Sequence, residues 1–282
     1  MKKNNAIFKT AGHPQLSKSY KGVFPFNIGT TSFIYPDDYV PNVKMLGPYL
    51  DEIELLLFES RPANVLPSKS VIAELSRLAA VHNLTYNIHL PIDVSVSDPR
   101  PQKQQQAVDT ILNVFDLTEP LRPTAYTLHI PYGINLSGTE KSGHWQDRVF
   151  RNLEKLVTGG IRPQSIAVET LDFPLDLLDG IIDDLDLSIC LDLGHLMAGA
   201  VDIKSVYKRY RSKTTIIHLH AFKKDRDHLA LDQLSTEYIQ AALWILRQFT
   251  RTVSLEVFSF ESLQASLAFL EKHWQSKAGI SG

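Results

Sequence analysis

The chain has 282 residues, 44% of them hydrophobic and 21% charged, with a formal net charge of -2. That balance is ordinary for a globular protein and provides no general basic field, so nucleic acid is not an expected partner. No apolar run approaches the roughly 20 residues needed to span a bilayer. The single Cys190 excludes an internal disulfide and fits a reducing compartment.

The N-terminal "MKKNNAIFKTAGHPQ" has no long apolar stretch, so a secretory signal is not expected and a cytoplasmic, soluble protein is. Residues 1–24 read as a loosely held arm, and residues 25–282 as a single catalytic domain. From Phe26 onward, short aliphatic runs alternate with amphipathic stretches. The predicted strands are 26–31, 52–58, 84–90, 125–130, 165–170, 187–193, 215–221 and 252–258. The predicted helices include 70–82, 144–157, 235–249 and 261–274, with Ser68, Ser235 and Ser262 near their starts as candidate caps. Strict alternation implies a parallel sheet. Eight units in about 250 residues match a closed (β/α)8 TIM barrel, with a doubly wound open sheet as the alternative.

Side chains two apart on a strand share a face. In "SIAVET", Ile166 and Val168 oppose Ala167 and Glu169; in "SICLDL", Ile189 and Leu191 oppose Cys190 and Asp192. The same split sets Tyr86, Ile88 and Leu90 against Asn87 and His89, and Tyr126 and Leu128 against Thr127 and His129. Val253, Leu255 and Val257 oppose Ser254 and Glu256. Each strand thus has a bulky face for surrounding helices and a smaller or polar face ending in His, Asp or Glu. In a barrel the second face points inward, and its last residue opens at the C-terminal mouth, where active sites of such barrels lie.

The candidate site residues are His89, His129, Glu169, Asp192, His195, His218, His228 and Glu256, with Asp227 or Asp225 from the loop before His228. Any one of them has an ordinary reading as a cap, an ion-pair partner or a satisfied core histidine. Convergence of so many at one mouth is harder to obtain by chance. Buried carboxylates repel and must be protonated, paired or metal-bound. No Lys or Arg lies within these strand runs to pair with them. Mixed imidazole and carboxylate donors suit zinc, manganese or iron better than calcium or magnesium. Two or three divalent ions are needed to occupy the set, and Glu169 is the natural bridge. Such a centre attracts an anion and activates water near neutral pH, which suits phosphoester hydrolysis.

The pattern resembles the xylose isomerase-like TIM-barrel superfamily, and its ligand series is similar to that of the endonuclease IV family. The resemblance runs through "NIHLP", "TLHIP", "AVET", "LDLGH", "IIHLH" and "SLEVF" over roughly residues 26–260. It implies metal ligation by His89, His129, Glu169, Asp192, His195, His218, Asp227, His228 and Glu256. The loop "KKDRDHLAL" departs from the family's Asp-x-His, leaving Asp225 and Asp227 as alternatives, and His220 competes with His218 on the same strand face. The stretch "NIGTTSFIYPDDYVPNVKMLGPYLDEIELLLFES" resembles the start of the cobamide-remodelling phosphodiesterases of this superfamily. That implies a small-molecule corrinoid substrate, cut at its nucleotide-loop phosphodiester to a cobinamide phosphate and an α-riboside. Thr30, Thr31, Ser32, Phe33, Tyr35, Phe58 and Glu59 are candidates for the mouth. The competing reading is a sugar isomerase or epimerase with one ion on Glu169, Asp192, His218 and Glu256, where Glu169 and Glu256 act as acid and base. His89, His129, His195 and His228 would then be surplus, which favours hydrolysis. Repair of abasic DNA shares the metals but lacks a Lys/Arg stripe to support it.

Overall fold

The computed structural model describes residues 12–60, 65–132, 142–171, 175–224 and 226–275. Strand β1 (Asn27–Thr31) leads through helix α1 (Tyr39–Leu46) to β2 (Glu52–Leu56), and α2 (Lys69–His82) leads on to β3 (Thr85–His89). Helix α3 (Pro101–Thr118), β4 (Tyr126–Leu128), α4 (Ser142–Thr158) and β5 (Ile166–Glu169) follow. Next come α5 (Asp179–Asp184), β6 (Ser188–Asp192), α6 (Leu193–Ala198), α7 (Ile203–Tyr210) and β7 (Thr214–Leu219). A small hairpin, β8 (Ala221–Lys223) and β9 (Arg226–Leu229), precedes α8 (Thr236–Leu246), β10 (Thr252–Leu255) and α9 (Phe260–Gln275).

Eight of these strands are parallel and close in the order β1-β10-β7-β6-β5-β4-β3-β2, so the sheet has the closed form and not the open one. The alternation read from sequence sets the two faces. Ile28, Ile53, Leu55, Tyr86, Ile88, Leu128, Val168, Ile189, Leu191, Ile217, Val253 and Leu255 face the helices and are fully or almost fully buried in the main core. Inside the barrel, Ala125, Ala167, Cys190 and Ile216 form a separate small apolar cluster. The opposite inner wall is polar. Glu52 and Glu54 of β2 are wholly buried beside Asn87 of β3 and Ser254 of β10. Glu52 accepts hydrogen bonds from Thr85 (2.5 Å), Asn87 (2.9 Å) and Thr124 (3.0 Å), yet burial still pushes its carboxyl above the usual range.

Helix starts follow local chemistry. Ser68 accepts from the N–H of Val71, and Ser235 from that of Tyr238, as expected of hydroxyl caps. At α9 the cap belongs to Ser259, whose Oγ accepts from the N–H of Ser262; Ser262 itself lies inside the first turn. Ahead of β1, residues 12–24 form neither helix nor strand, and Leu16, Tyr20 and Phe24 are buried in the core. Residues 1–11 of the expected arm lie outside the described residues. Among the described residues no helix is long and apolar enough to cross a membrane.

Candidate metal centre

The C-terminal ends of β3 to β7 and β10 bring His89, His129, Glu169, Asp192, His218 and Glu256 to one mouth. They fall into overlapping groups whose donor atoms lie within 4.8 Å of one another: His89, His129 and Glu169; and Glu169, Asp192, His218 and Glu256. Glu169 belongs to both. Its Oε2 is 2.5 Å from His129 Nε2 and 3.5 Å from His89 Nε2, while its Oε1 is 3.1 Å from His218 Nδ1. The two oxygens of one carboxylate thus face two separate sets of donors.

His89 Nδ1 lies 3.0 Å from the carbonyl of Leu90, which can only accept, so that nitrogen carries a proton, while Nε2 faces His129 Nε2 at 3.1 Å. His218 Nδ1 faces Glu256 Oε2 at 3.3 Å and Asp192 Oδ2 at 3.8 Å, besides Glu169.

Asp192 serves two purposes at once. It caps the six-residue helix α6, its Oδ1 accepting from the His195 N–H at 2.7 Å. Its Oδ2 is buried with no hydrogen-bond partner among the described residues, as are Glu169 Oε2 and Glu256 Oε2. These three buried carboxylate oxygens meet only imidazole nitrogens, at 2.5 Å for Glu169 and 3.3–3.8 Å for Glu256 and Asp192, so their charge must be balanced by protons on those rings or by a cation. That requirement, with imidazole nitrogens interleaved, fits divalent transition ions.

A third group joins His195, His220 and His228. The rings of His220 and His228 stack at 4.3 Å, and His195 meets them edge-on at 5.2 and 5.7 Å. His218 and His220 therefore do not compete: they point to different groups. His220 Nε2 also lies 3.3 Å from Asp192 Oδ1. Gly194 makes this approach possible, since a Cβ there would sit 2.3 Å from the His220 ring. His228 is held at φ 50° on β9, a conformation that costs an L-residue about 1–2 kcal/mol. Asp227 is placed differently from the rest. Its side chain is 54% exposed and lies 2.9 Å from His228 Nδ1, outside all of these groups. Asp225 lies outside the described residues.

Without cations the cluster compensates itself through protons. Burial opposes ionisation of Glu169, but His129 and His218 hold its carboxyl well below the usual range. Glu256 is likewise held low against burial by His218 and His228. Burial opposes the charged form of His218 too, yet the carboxylates of Glu54, Glu256 and Glu169 around it raise its pKa well above the ordinary value. For His228, Glu256 and Asp227 overcome burial and raise the pKa to about 9. Bound ions would displace these protons.

Cys190 lies on the inner face below the mouth, fully buried, and burial pushes its thiol up. Thr30, Thr31 and Ser32 are buried and occupied with backbone: Thr30 donates to Leu255 O, Thr31 to Val257 O, and Ser32 accepts from Leu56 N. Tyr35 packs on Phe260 beneath the loop. Phe58, in contrast, stands edge-on to His89 at 4.8 Å, and the exposed Phe258 lies 5.1 Å from His228. Sequence reasoning passed over Glu54, whose Oε1 is 3.0 Å from His218 Nε2. Its signal was present: Glu52 and Glu54 repeat with period two inside an aliphatic strand.

A closed barrel of parallel strands with this donor set at its C-terminal mouth defines the class, a barrel enzyme fold built around a metal-ligand cluster. The family is shown directly: residues 42–273 match the model of the xylose isomerase-like TIM barrel, and the chain belongs to that family. Among solved structures it is similar to a D-tagatose 3-epimerase-like protein (TM-score 0.75, 18% identity, covering 89% of this chain and 97% of that one). It is also similar to a D-psicose 3-epimerase from Clostridium cellulolyticum (0.67, 14%, 87% and 98%) and to endonuclease IV from Thermus thermophilus (0.65, 15%, 89% and 99%). At such identities the likeness establishes the fold. No curated protein matches the chain in sequence.

Proposed function

We propose that the protein is a metal-dependent phosphodiesterase that hydrolyses the nucleotide-loop phosphodiester of cobamides, releasing a cobinamide phosphate and an α-riboside. The observation that carries the hydrolytic reading is the two-sided placement of Glu169, with Oε2 toward His89 and His129 and Oε1 toward His218. His89 and His129 on one side, and Asp192, His218 and Glu256 on the other, would hold two ions, most readily zinc; His195, His220 and His228 offer a place for a third. When bound, the ions supply positive charge for the phosphoryl oxygens and make water acidic enough to act as the nucleophile near neutral pH.

The residues of the chain have distinct parts in this. Glu169 spans the centre and orients the attacking water between the two donor groups. Water oxygen joins phosphorus as the bond to the leaving oxygen breaks, and a proton ends on that oxygen. Asp192, braced through its cap on α6, and Glu256 keep their charge in place without rearranging, so the field is set before the reaction. Phe58 and Phe258 flank the centre with apolar surface, and a cavity of about 590 Å³ lined by Leu171, Leu175, Leu196 and Val201 adjoins His195. A polar centre beside apolar walls suits a phosphodiester carried on large, partly apolar groups such as a corrinoid.

Zinc-loaded protein incubated with adenosylcobalamin should release a corrinoid phosphate and an α-riboside, separable by chromatography and weighed by mass spectrometry. Intact substrate under these conditions removes the cobamide reading. The second reading is a sugar epimerase, favoured by the compact set Glu169, Asp192, His218 and Glu256, which alone satisfies one ion. Interconversion of ketohexoses by protein holding one ion per chain would establish it in place of hydrolysis.

A further inference from the structure

We infer that Glu54 is a positioning residue that takes up the Nε2–H of His218 and so keeps Nδ1 of that ring presented to the metal centre. The inference rests on the metal-centre reading above. Nδ1 is surrounded by carboxylate oxygens of Glu169, Glu256 and Asp192 at 3.1, 3.3 and 3.8 Å. Carboxylates only accept, so Nδ1 must face them with either a proton or a bound cation. If a cation is held there, the single proton of the neutral imidazole belongs on Nε2, and that nitrogen needs an acceptor.

The acceptor is Glu54. Its Oε1 is 3.0 Å from Nε2, and neither atom has any other hydrogen-bond partner: both are buried without a well-aligned hydrogen bond among the described residues. The contact is close but bent, as hydrogen bonds of binding sites often are before the ligand arrives. Glu54 Oε2 is tied down by the hydroxyl of Ser254 at 2.6 Å. Strand register explains the line-up, since Ser254 of β10 pairs with His218 of β7 on one side and with Gly29 of β1 on the other, while Thr31 of β1 pairs with Glu54. Glu54 is set apart from the ligand set, since it meets Nε2 of His218 whereas Glu169, Asp192 and Glu256 all meet Nδ1. It does not fill space cheaply either. A buried carboxylate costs several kcal/mol to desolvate, and the other half of the inner wall is filled with Ala125, Ala167, Cys190 and Ile216. A carboxylate behind a ligating histidine fixes its tautomer and raises its basicity, typically for 10–100-fold in metal affinity.

The test compares wild type with Glu54→Leu and Glu54→Gln, each stripped of metal and titrated with zinc against a chelating dye, with folding followed by circular dichroism. Glu54→Leu should bind zinc about 10–100-fold more weakly, whereas Glu54→Gln, whose amide oxygen accepts the same N–H, should stay within several-fold of wild type. Independently of any variant, zinc-loaded wild type labelled with 15N-histidine should show His218 as the Nε2–H tautomer in long-range 1H–15N correlation spectra. Wild-type zinc affinity in Glu54→Leu, equal loss in Leu and Gln variants, or the Nδ1–H tautomer would each overturn the inference. Failure of the underlying reading looks different: the wild type itself then takes up no zinc.

Discussion

Replacing Glu169 with Gln keeps the shape of the side chain and removes the charge from the middle of the cluster. Its oxygens lie 2.5 Å from His129 Nε2 and 3.1 Å from His218 Nδ1, so the same carboxylate is within coordination reach of both donor sets. Two unit charges about 4 Å apart interact by about 4 kcal/mol at an effective dielectric of about 20. Even half of that is more than tenfold in affinity, because about 1.4 kcal/mol is a factor of ten, and the loss is felt at both positions. Glu169→Gln should therefore lose at least one equivalent of metal per chain. Its turnover should fall by roughly 10³-fold or more, the scale of removing a principal electrostatic group. Elemental analysis after gel filtration gives the stoichiometry, and adenosylcobalamin turnover gives the rate. Full metal content together with full rate in Glu169→Gln would refute the bridging role.

Cys190→Ala should keep its metals and most of its activity while losing about 1–2 kcal/mol of stability, because the thiol fills space below the mouth; an inactive but metal-replete variant would point instead to thiol chemistry. Gly194→Ala puts a Cβ 2.3 Å from the His220 ring, so it should lower stability by about 1–3 kcal/mol through overpacking and weaken metal binding at the three-imidazole group; unchanged melting and metal content would contradict the packing. The metal-free protein should respond to pH through His228, whose pKa rises to about 9 because Glu256 and Asp227 outweigh burial. A raised folded pKa contributes stability that is complete below about 6.5 and is lost as pH climbs toward about 9. Melting temperature with chelator present should fall across that window, and a rise there would count against the protonated cluster.

The barrel was legible because most of its strands follow a period of two, even though the β6–β7 pairing shifts register between Ile189 and Cys190. Ile166 and Val168 face the helices while Ala167 and Glu169 face inward, as the residue pattern alone requires. The convergence of His89, His129, Glu169, Asp192, His218 and Glu256 followed from placing the last inward residue of each strand at the mouth. The hairpin Ala221–Leu229 was not legible, since strands of three and four residues leave no periodicity to read. Without it, His218 and His220 looked like rivals; the hairpin brings His228 across to His220, where the His228 N–H donates to His220 Nδ1 at 3.1 Å, and the two histidines separate into different groups. Glu54 escaped notice for another reason. Its strand ends in Leu56, so attention to strand ends passed over a carboxylate one layer deeper.

The central claim is a centre of more than one ion, and the metal content of the purified, zinc-reconstituted chain tests it most directly. Two or three ions per chain are predicted, with chelation lowering the melting temperature because ions bind the folded site far better than the unfolded chain. A single ion per chain would contradict the account and move the protein to the epimerase reading; none would remove the metal centre altogether.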